Sequence, residues 1–456
     1  MSKKTTAVGV EAVRDARQLG LPKMLLLGLQ HMFAMFGATI LVPIITGLSV
    51  QTTLLCAGVG TLLFHLLGKF KVPAFLGSSF AFLGGFTAVK ALETGKFAGL
   101  TEAEKLPYAC GGIVVAGLLY LALAGIIKLV GVKRVMRFLP PVVTGPMIIL
   151  IGLSLAGSAV TNASANWPIA LVALAIIVAC NIWGKGMVRI IPILLGVVGS
   201  YLFALILHWC GVTNADGSAI FNFAAVAKSN VVGLPPFVLA KFDISAILIM
   251  APIAIATMME HIGDMSAISA TVNENFIESP GLHRTLLGDG IATSLAALVG
   301  GPANTTYGEN TGVLALSRVY DPAVIRIAAC YAILLSFSPM FADLIASIPT
   351  AVIGGVSFML YGMISAIGVR NVVENHVDFT NSRNLIIAAM ILVCGLGFTG
   401  GITFSVFGTE VTLTGLAIAA IVGILLNAIL PGKDYTFGED KQGAQSVNFS
   451  GGHRHV

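Results

Sequence analysis

Glu260 stands where a carboxylate is costly. It follows sixteen uncharged residues, ISAILIMAPIAIATMM (244–259), and an acid in such a segment costs about 2.5–3.5 kcal/mol on insertion scales. Asp264 comes four residues later, which puts both carboxyls on one face of a helix. No Lys or Arg adjoins the pair, and the residue after Glu260 in the motif EHIGD is His261. Two neighbouring carboxyls in a poor solvent do not both ionise easily, so the pair suits a site that takes up and releases a proton. The competing reading is a structural hydrogen-bonded pair. A third acid, Glu309, is flanked by Tyr307, Gly308 and Asn310, with Gly312 close by. Glycines there let a ligand approach the backbone. A carboxylate accepts from N–H groups and free backbone N–H groups donate to carbonyls, so this segment suits a flat ligand that carries both. Phe80 and Phe82, beside Gly77-Ser78-Ser79, offer faces on which a planar ring can stack, although either ring alone reads as readily as lipid or core packing. His31 can bond a carboxylate or be purely structural.

The elements that must hold these residues are membrane spans. Charged residues are 10% of the 456 and hydrophobic residues 56%, against roughly 25% charged in an average soluble domain. That excludes a cytosolic enzyme, a disordered protein and a nucleic-acid binder, and makes the lipid bilayer the surrounding partner. Apolar runs lie at 24–45, 51–68, 74–89, 108–127, 139–160, 168–183, 190–208, 244–264, 282–300, 302–317, 323–347, 350–369, 384–400 and 410–430. They predict fourteen spans. The first, behind a polar stretch with five basic residues, reads as a span rather than a signal peptide. Asp289 and Asp343 fall near span ends, from which they would reach water. Glu410 opens the last span, where an acid favours a helix N-terminus. The six cysteines are scattered without a CxxC pair, so neither a metal site nor a disulfide is expected.

Alternating the spans from a cytoplasmic N-terminus leaves only Lys90, Lys96, Lys105, Lys228 and Lys241 of the 26 basic residues outside. This bias predicts both termini in the cytoplasm of an inner-membrane, multi-pass protein. The polar stretch 209–242 divides the chain into two sets of seven runs. An odd number per set inverts the second relative to the first. The third run of each set, AFLGSSFAFLGGFTAV and PANTTYGENTGVLALS, is short and rich in Gly, Ser and Thr. Matched broken spans in inverted halves point to a transporter's binding site, whereas either alone reads also as close helix packing. The residues therefore describe a secondary transporter for a small planar polar solute, coupled to protons. A channel would need a continuous polar lining, and a membrane-embedded enzyme a nucleophile or metal constellation.

Gln30-His31, GSSFAF (77–82), EHIGD (260–264) and NTTYGENTGVLALSR (304–318) resemble the nucleobase–ascorbate transporter family, also called nucleobase–cation symporters, with bacterial uracil–proton symporters the nearest match. The likeness runs from about residue 25 to 430. The family signature reads here Glu309-Asn310-Thr311-Gly312 and then Ser317-Arg318, with Ser in place of Thr. The resemblance implies an all-α polytopic fold of fourteen transmembrane segments in two inverted seven-span repeats, with short strands in broken spans 3 and 10. It implies a core domain (24–138 and 244–348) that works against a gate domain (139–208 and 349–430). A cytoplasmic tail (1–23), an extracytoplasmic loop (209–243) and a second cytoplasmic tail (431–456) complete the chain. It further implies that Glu260 and Glu309 bond the edge of a pyrimidine, Phe80 stacks on it, and backbone at Ala38, Tyr307 and Gly308 completes the contacts. His31 would bond Glu309 and join Glu260, Asp264 and Glu309 in proton coupling. No cofactor is implied beyond the transported proton, and relatives imply a homodimer. Uracil symporters often carry His where Asp264 stands and purine carriers Asp, but Glu at 309 is the uracil-type choice. Uracil is therefore the expected substrate, with xanthine or another purine nucleobase the alternative.

Overall fold

The computed structural model describes residues 12–432 except 94, 225, 407 and 408. The basic residues expected in the terminal tails at Lys3, Lys4, Lys433, Lys441 and Arg454 lie outside the described residues. The described chain is mostly helical. Helices α1 (Leu21–Thr46) and α2 (Val50–Leu67) lead to strand β1 (Leu76–Ser78), then α3 (Leu83–Lys90), α4 (Glu102–Val130) and the short α5 (Val132–Met136). Next come α6 (Pro141–Ser154), α7 (Ala156–Ala163), α8 (Trp167–Trp183), α9 (Met187–Ile190) and α10 (Pro192–Trp209). The second part runs α11 (Ile244–Met250), α12 (Ile253–Val272), α13 (Leu282–Leu298), strand β2 (Asn304–Thr306) and α14 (Gly308–Ser317). It continues through α15 (Pro322–Ser336), α16 (Pro339–Ala346), α17 (Thr350–Glu374) and α18 (Ser382–Gly397). Strands β3 (Ile402–Val406) and β4 (Thr409–Leu413) and helix α19 (Gly415–Ile429) close it.

Among the described residues, seven helical stretches are long and apolar enough to cross a membrane, or eight if a bent pair counts as one. Trp167–Trp183, Ser382–Gly397 and Gly415–Ile429 are shorter apolar helices. Three expected runs take a different form. The run ending at 264 continues as helix to Val272, because the uncharged stretch MSAISATV extends the helix beyond the last acid. The run 323–347 is two helices at 90°. Ser338 starts the second by accepting from the Phe341 N–H, and Pro339 occupies its first turn, where its missing N–H costs nothing. Residues 402–406 pair antiparallel with 409–413, so the latter form a strand rather than the start of the last span. Glu410 therefore belongs to β4, and Thr414 caps α19 by accepting from the Ala417 N–H.

Both segments expected to be poor helices are indeed interrupted, and they meet. β1 pairs antiparallel with β2, with Leu76 opposite Thr306, Gly77 opposite Thr305 and Ser78 opposite Asn304. The pairing extends through Ser79 N–H to Ala303 C=O (2.9 Å) and Tyr307 N–H to Phe75 C=O (3.1 Å). Two threonines on neighbouring helices satisfy what the strands leave over. Thr61 on α2 accepts from the Leu76 N–H (2.9 Å). Thr293 on α13 accepts from the Asn304 N–H (3.2 Å) and donates to the Asn304 carbonyl (3.0 Å). Such bonds are obligatory, since an extended chain at membrane depth has no water to turn to.

Small residues bring the supporting helices close. A Cβ on Gly117 of α4 would lie 2.2 Å from the Ser294 hydroxyl and 2.7 Å from the Gly290 carbonyl of α13, as expected where helices pack through glycines. α2 packs on α13 and α15, while α17 packs on α6, α7 and α8.

Gly77 is the tightest point of the strand pair. A Cβ there would meet two Tyr307 ring carbons at 2.4 Å and the Thr39 hydroxyl at 2.8 Å. Gly77→Ala is therefore expected to cost about 1–3 kcal/mol as an overpacked site, read as a lowered melting temperature of the purified protein in detergent. An unchanged melting temperature would contradict the packing described.

Candidate functional site

Each strand runs into a helix at its own end of the antiparallel ladder. After β1 the chain passes through Phe80 into α3, and after β2 it enters α14 at Gly308. The first N–H groups of a helix have no partner within it and carry partial positive charge. The two helix starts thus flank the strand pair, and Glu309 stands in the first turn of α14.

α12 runs alongside and contacts β2 and α14. Its Asp264 is buried, and one carboxylate oxygen accepts from the Thr306 hydroxyl of β2 at 2.6 Å. Glu260, one turn earlier, has a buried Oε2 without a hydrogen-bond partner. Asp264, Glu309 and Asp289 all lie within electrostatic reach of Glu260. The three acids singled out from the sequence are thus brought together, and no Lys or Arg forms an ion pair with them among the described residues.

Tyr307 is locked into the strand crossing. Its hydroxyl donates to the Ser78 carbonyl (2.9 Å) and receives a bond from the Thr39 hydroxyl (3.3 Å). The Ser78 hydroxyl in turn donates to the Thr39 carbonyl (3.1 Å). Thr39 follows the fully buried Ala38 on α1, so α1 is pinned to the crossing beside the expected Ala38 contact. Phe80 is buried, and its ring meets Tyr361 of α17 edge-on, 5.7 Å between centroids and 77° between planes. That contact fixes the ring against α17.

His31 departs from expectation. Its partner is Asn310, not Glu309. The Asn310 amide bonds His31 Nδ1 at 3.2 Å and donates to the His31 carbonyl at 3.1 Å. Asn310 is on the inward side of α14, whereas Glu309, one residue round the helix, borders a cavity. Asp289 departs too. It is fully buried in mid-α13 and accepts from, or shares a proton with, His261 at 2.8 Å. α13 is enclosed by α2 and α4, so no route to water is open to it. Asp343 sits on the bent helix α16, where it bonds the Ser229 hydroxyl.

A cavity of about 520 Å³ opens beside Gly308, Glu309 and Gly312 and runs to Arg189 and Arg370. Buried polar atoms without a partner among the described residues gather around the crossing: Ser79 Oγ, Thr305 Oγ1, Asn310 Oδ1, His31 Nε2 and Glu260 Oε2. Each such atom costs about 1–3 kcal/mol while it stays unpaired, so the crossing has polar capacity to spare. No cluster of three His, Cys, Asp or Glu that could hold a metal occurs among the described residues. Thr39 and Thr306 were not singled out from the sequence, because threonine is too common there to stand out. Asn310 was visible only as a neighbour of Glu309.

Comparison with known proteins follows the same residues. The sequence model of a permease family matches residues 22–404. The chain is 43% identical to the uracil permease of Bacillus caldolyticus, over 89% of this chain and 92% of that protein. It is 42% identical to the uracil permease of Bacillus subtilis, over 94% and 97%. A putative pyrimidine permease of Escherichia coli is 37% identical over 94% of each. Among solved structures, the transmembrane domain of the cyanobacterial bicarbonate transporter BicA superposes with a TM-score of 0.60 at 16% identity, covering 91% of this chain and 99% of that one. The murine Slc26a9 anion transporter in its inward-facing state gives 0.61 at 11% identity, covering 90% and 68%. At those identities the structures speak for the fold alone. The family match spans both interrupted segments and all three site acids, and the resemblance read from the motifs holds: this chain belongs to the permease family, as a multi-pass membrane protein.

Proposed function

We propose that this protein is a proton-coupled symporter that imports uracil across the cytoplasmic membrane, with both termini inside. The observation that carries this reading is the meeting of Glu260, Asp264 and Glu309 at two paired strands, each of which leads into a helix. Relatives that match over nearly their whole length are uracil permeases, which supports uracil as the substrate. Uracil is a flat ring whose edge alternates N–H donors and C=O acceptors. Glu260, with its unpaired oxygen, accepts from a ring N–H. Glu309 and the first N–H groups of α14 serve the neighbouring positions, backbone at Ala38 and Tyr307 closes the edge, and Phe80 stacks on the ring.

The fold in this reading has fourteen spans in two inverted repeats. The matched roles of Thr61 on α2 and Thr293 on α13, each bracing the strand of its own half, support the repeat. The core is 24–138 with 244–348, and the gate is 139–208 with 349–430. Packing of α2 with α13 and α15, and of α17 with α6 to α8, favours that division. With the basic face inside, the cavity from Glu309 to Arg189 and Arg370 is the cytoplasmic exit. A proton aboard leaves one acid neutral to donate to a carbonyl and one carboxylate to accept from N–H. Substrate completes the network, which makes its burial less costly. Core then moves against gate, the site opens inward, and release of uracil frees the proton. The dimer expected from relatives remains part of the proposal.

Xanthine presents the same dione edge, and Asp264 is the purine-type residue, so a xanthine symporter is the second reading. Glu309 weighs more, because it borders the cavity, whereas Asp264 is engaged by Thr306.

Three outcomes are expected. Glu260→Gln and Glu309→Gln should each weaken uracil binding roughly tenfold to a hundredfold, the value of a hydrogen bond to a charged group, in a direct binding assay; normal binding by both variants would misplace the site. Uptake by proteoliposomes should collapse when the inward pH gradient is dissipated, and full uptake driven by a sodium gradient alone would sink proton coupling. Unlabelled uracil should displace labelled uracil while equal xanthine leaves most uptake intact, and equal displacement by xanthine would favour the second reading.

A further inference from the structure

A second cavity is lined almost wholly by apolar side chains. It measures about 370 Å³ and is walled by Leu123, Ile126 and Val130 of α4, Met258 of α12 and Ile424 of α19, with one charged residue, Arg134 of α5, at its rim. At roughly 30 Å³ for each water-sized unit, it has room for about a dozen, the bulk of one acyl tail. A polar ligand would find nothing there to bond except the guanidinium.

Arg134 stands in a strongly basic stretch of sequence. Lys128, Lys133, Arg134 and Arg137 are all exposed, and none forms an ion pair among the described residues. From Lys105 to Ala215 the chain contains no Asp or Glu, so no acid of that stretch is available to neutralise them. Four clustered cations beside a membrane helix attract anionic headgroups, and basic pockets between helices hold them specifically. A bare apolar surface would take any lipid, whereas an apolar cleft topped by uncompensated charge selects an anionic one.

We propose that this crevice is a binding site for one anionic phospholipid, with its tail between α4, α12 and α19 and its phosphate on Arg134. The neighbouring Lys128, Lys133 and Arg137 add attraction at the headgroup level. The site needs only the membrane placement of the chain, not the transport reading. A lipid there touches helices of both the proposed core and the proposed gate, so its occupancy bears on how easily they shift.

The test is lipid retention. The protein is reconstituted in equal phosphatidylglycerol and phosphatidylcholine, extracted in mild detergent and examined by native mass spectrometry, with Arg134→Gln and, as a control at an exposed cation elsewhere, Lys185→Gln. Wild type and Lys185→Gln should keep one phosphatidylglycerol in preference to phosphatidylcholine, and Arg134→Gln should keep it at least tenfold less. Equal retention of the two lipids by wild type, or undiminished phosphatidylglycerol on Arg134→Gln, overturns the proposal. So does a thermal stabilisation by inorganic phosphate as large as that by phosphatidylglycerol, which would mark a free-anion site instead.

Discussion

The rest of the structure depends on one constraint: a backbone that leaves the helix inside a membrane must find partners for its N–H and C=O groups. Two such interruptions occur here, and each solves the other's problem. β1 and β2 pair at Leu76–Thr306, Gly77–Thr305 and Ser78–Asn304. Thr61 and Thr293 take up the groups that a two-stranded ladder leaves open. The result is a rigid crossing of extended chain with a helix starting on either side of it. Positions as far apart in sequence as Phe80 and Glu309 become neighbours of one region, and the ligand-facing geometry follows from the need to satisfy the backbone.

The acids obey a related rule. A carboxylate at membrane depth is tolerated only where something waits for it. Asp264 has Thr306, Asp289 has His261, and Glu260 keeps an oxygen without a partner. Asp264 and Asp289 are each held by one neighbouring side chain, Asp289 with one oxygen still unpaired, while Glu309 borders the cavity.

Much of this was legible beforehand, for physical reasons. Broken spans announce themselves by Gly, Ser and Thr in otherwise apolar runs, and Glu260 by its sixteen uncharged predecessors. What stayed hidden was pairwise. His31 could be recognised as a bonding residue, but whether it met Glu309 or Asn310 depends on a rotation of about 100° between successive helix positions, which sequence alone does not resolve. Asp289 read as a residue able to reach water, because enclosure by α2 and α4 is a tertiary property. The 90° turn at Ser338-Pro339 was hidden by continuous hydropathy, since an apolar run looks the same whether it is straight or bent.

The account rests on the strand crossing as the place where substrate and acids meet. The position of uracil in the bound protein, determined by cryo-electron microscopy in lipid nanodiscs, tests this most directly. The account predicts the ring beside the β1–β2 pair, with its polar edge on Glu260 and Glu309 and one face against Phe80. Density for uracil elsewhere, away from both glutamates, would contradict it.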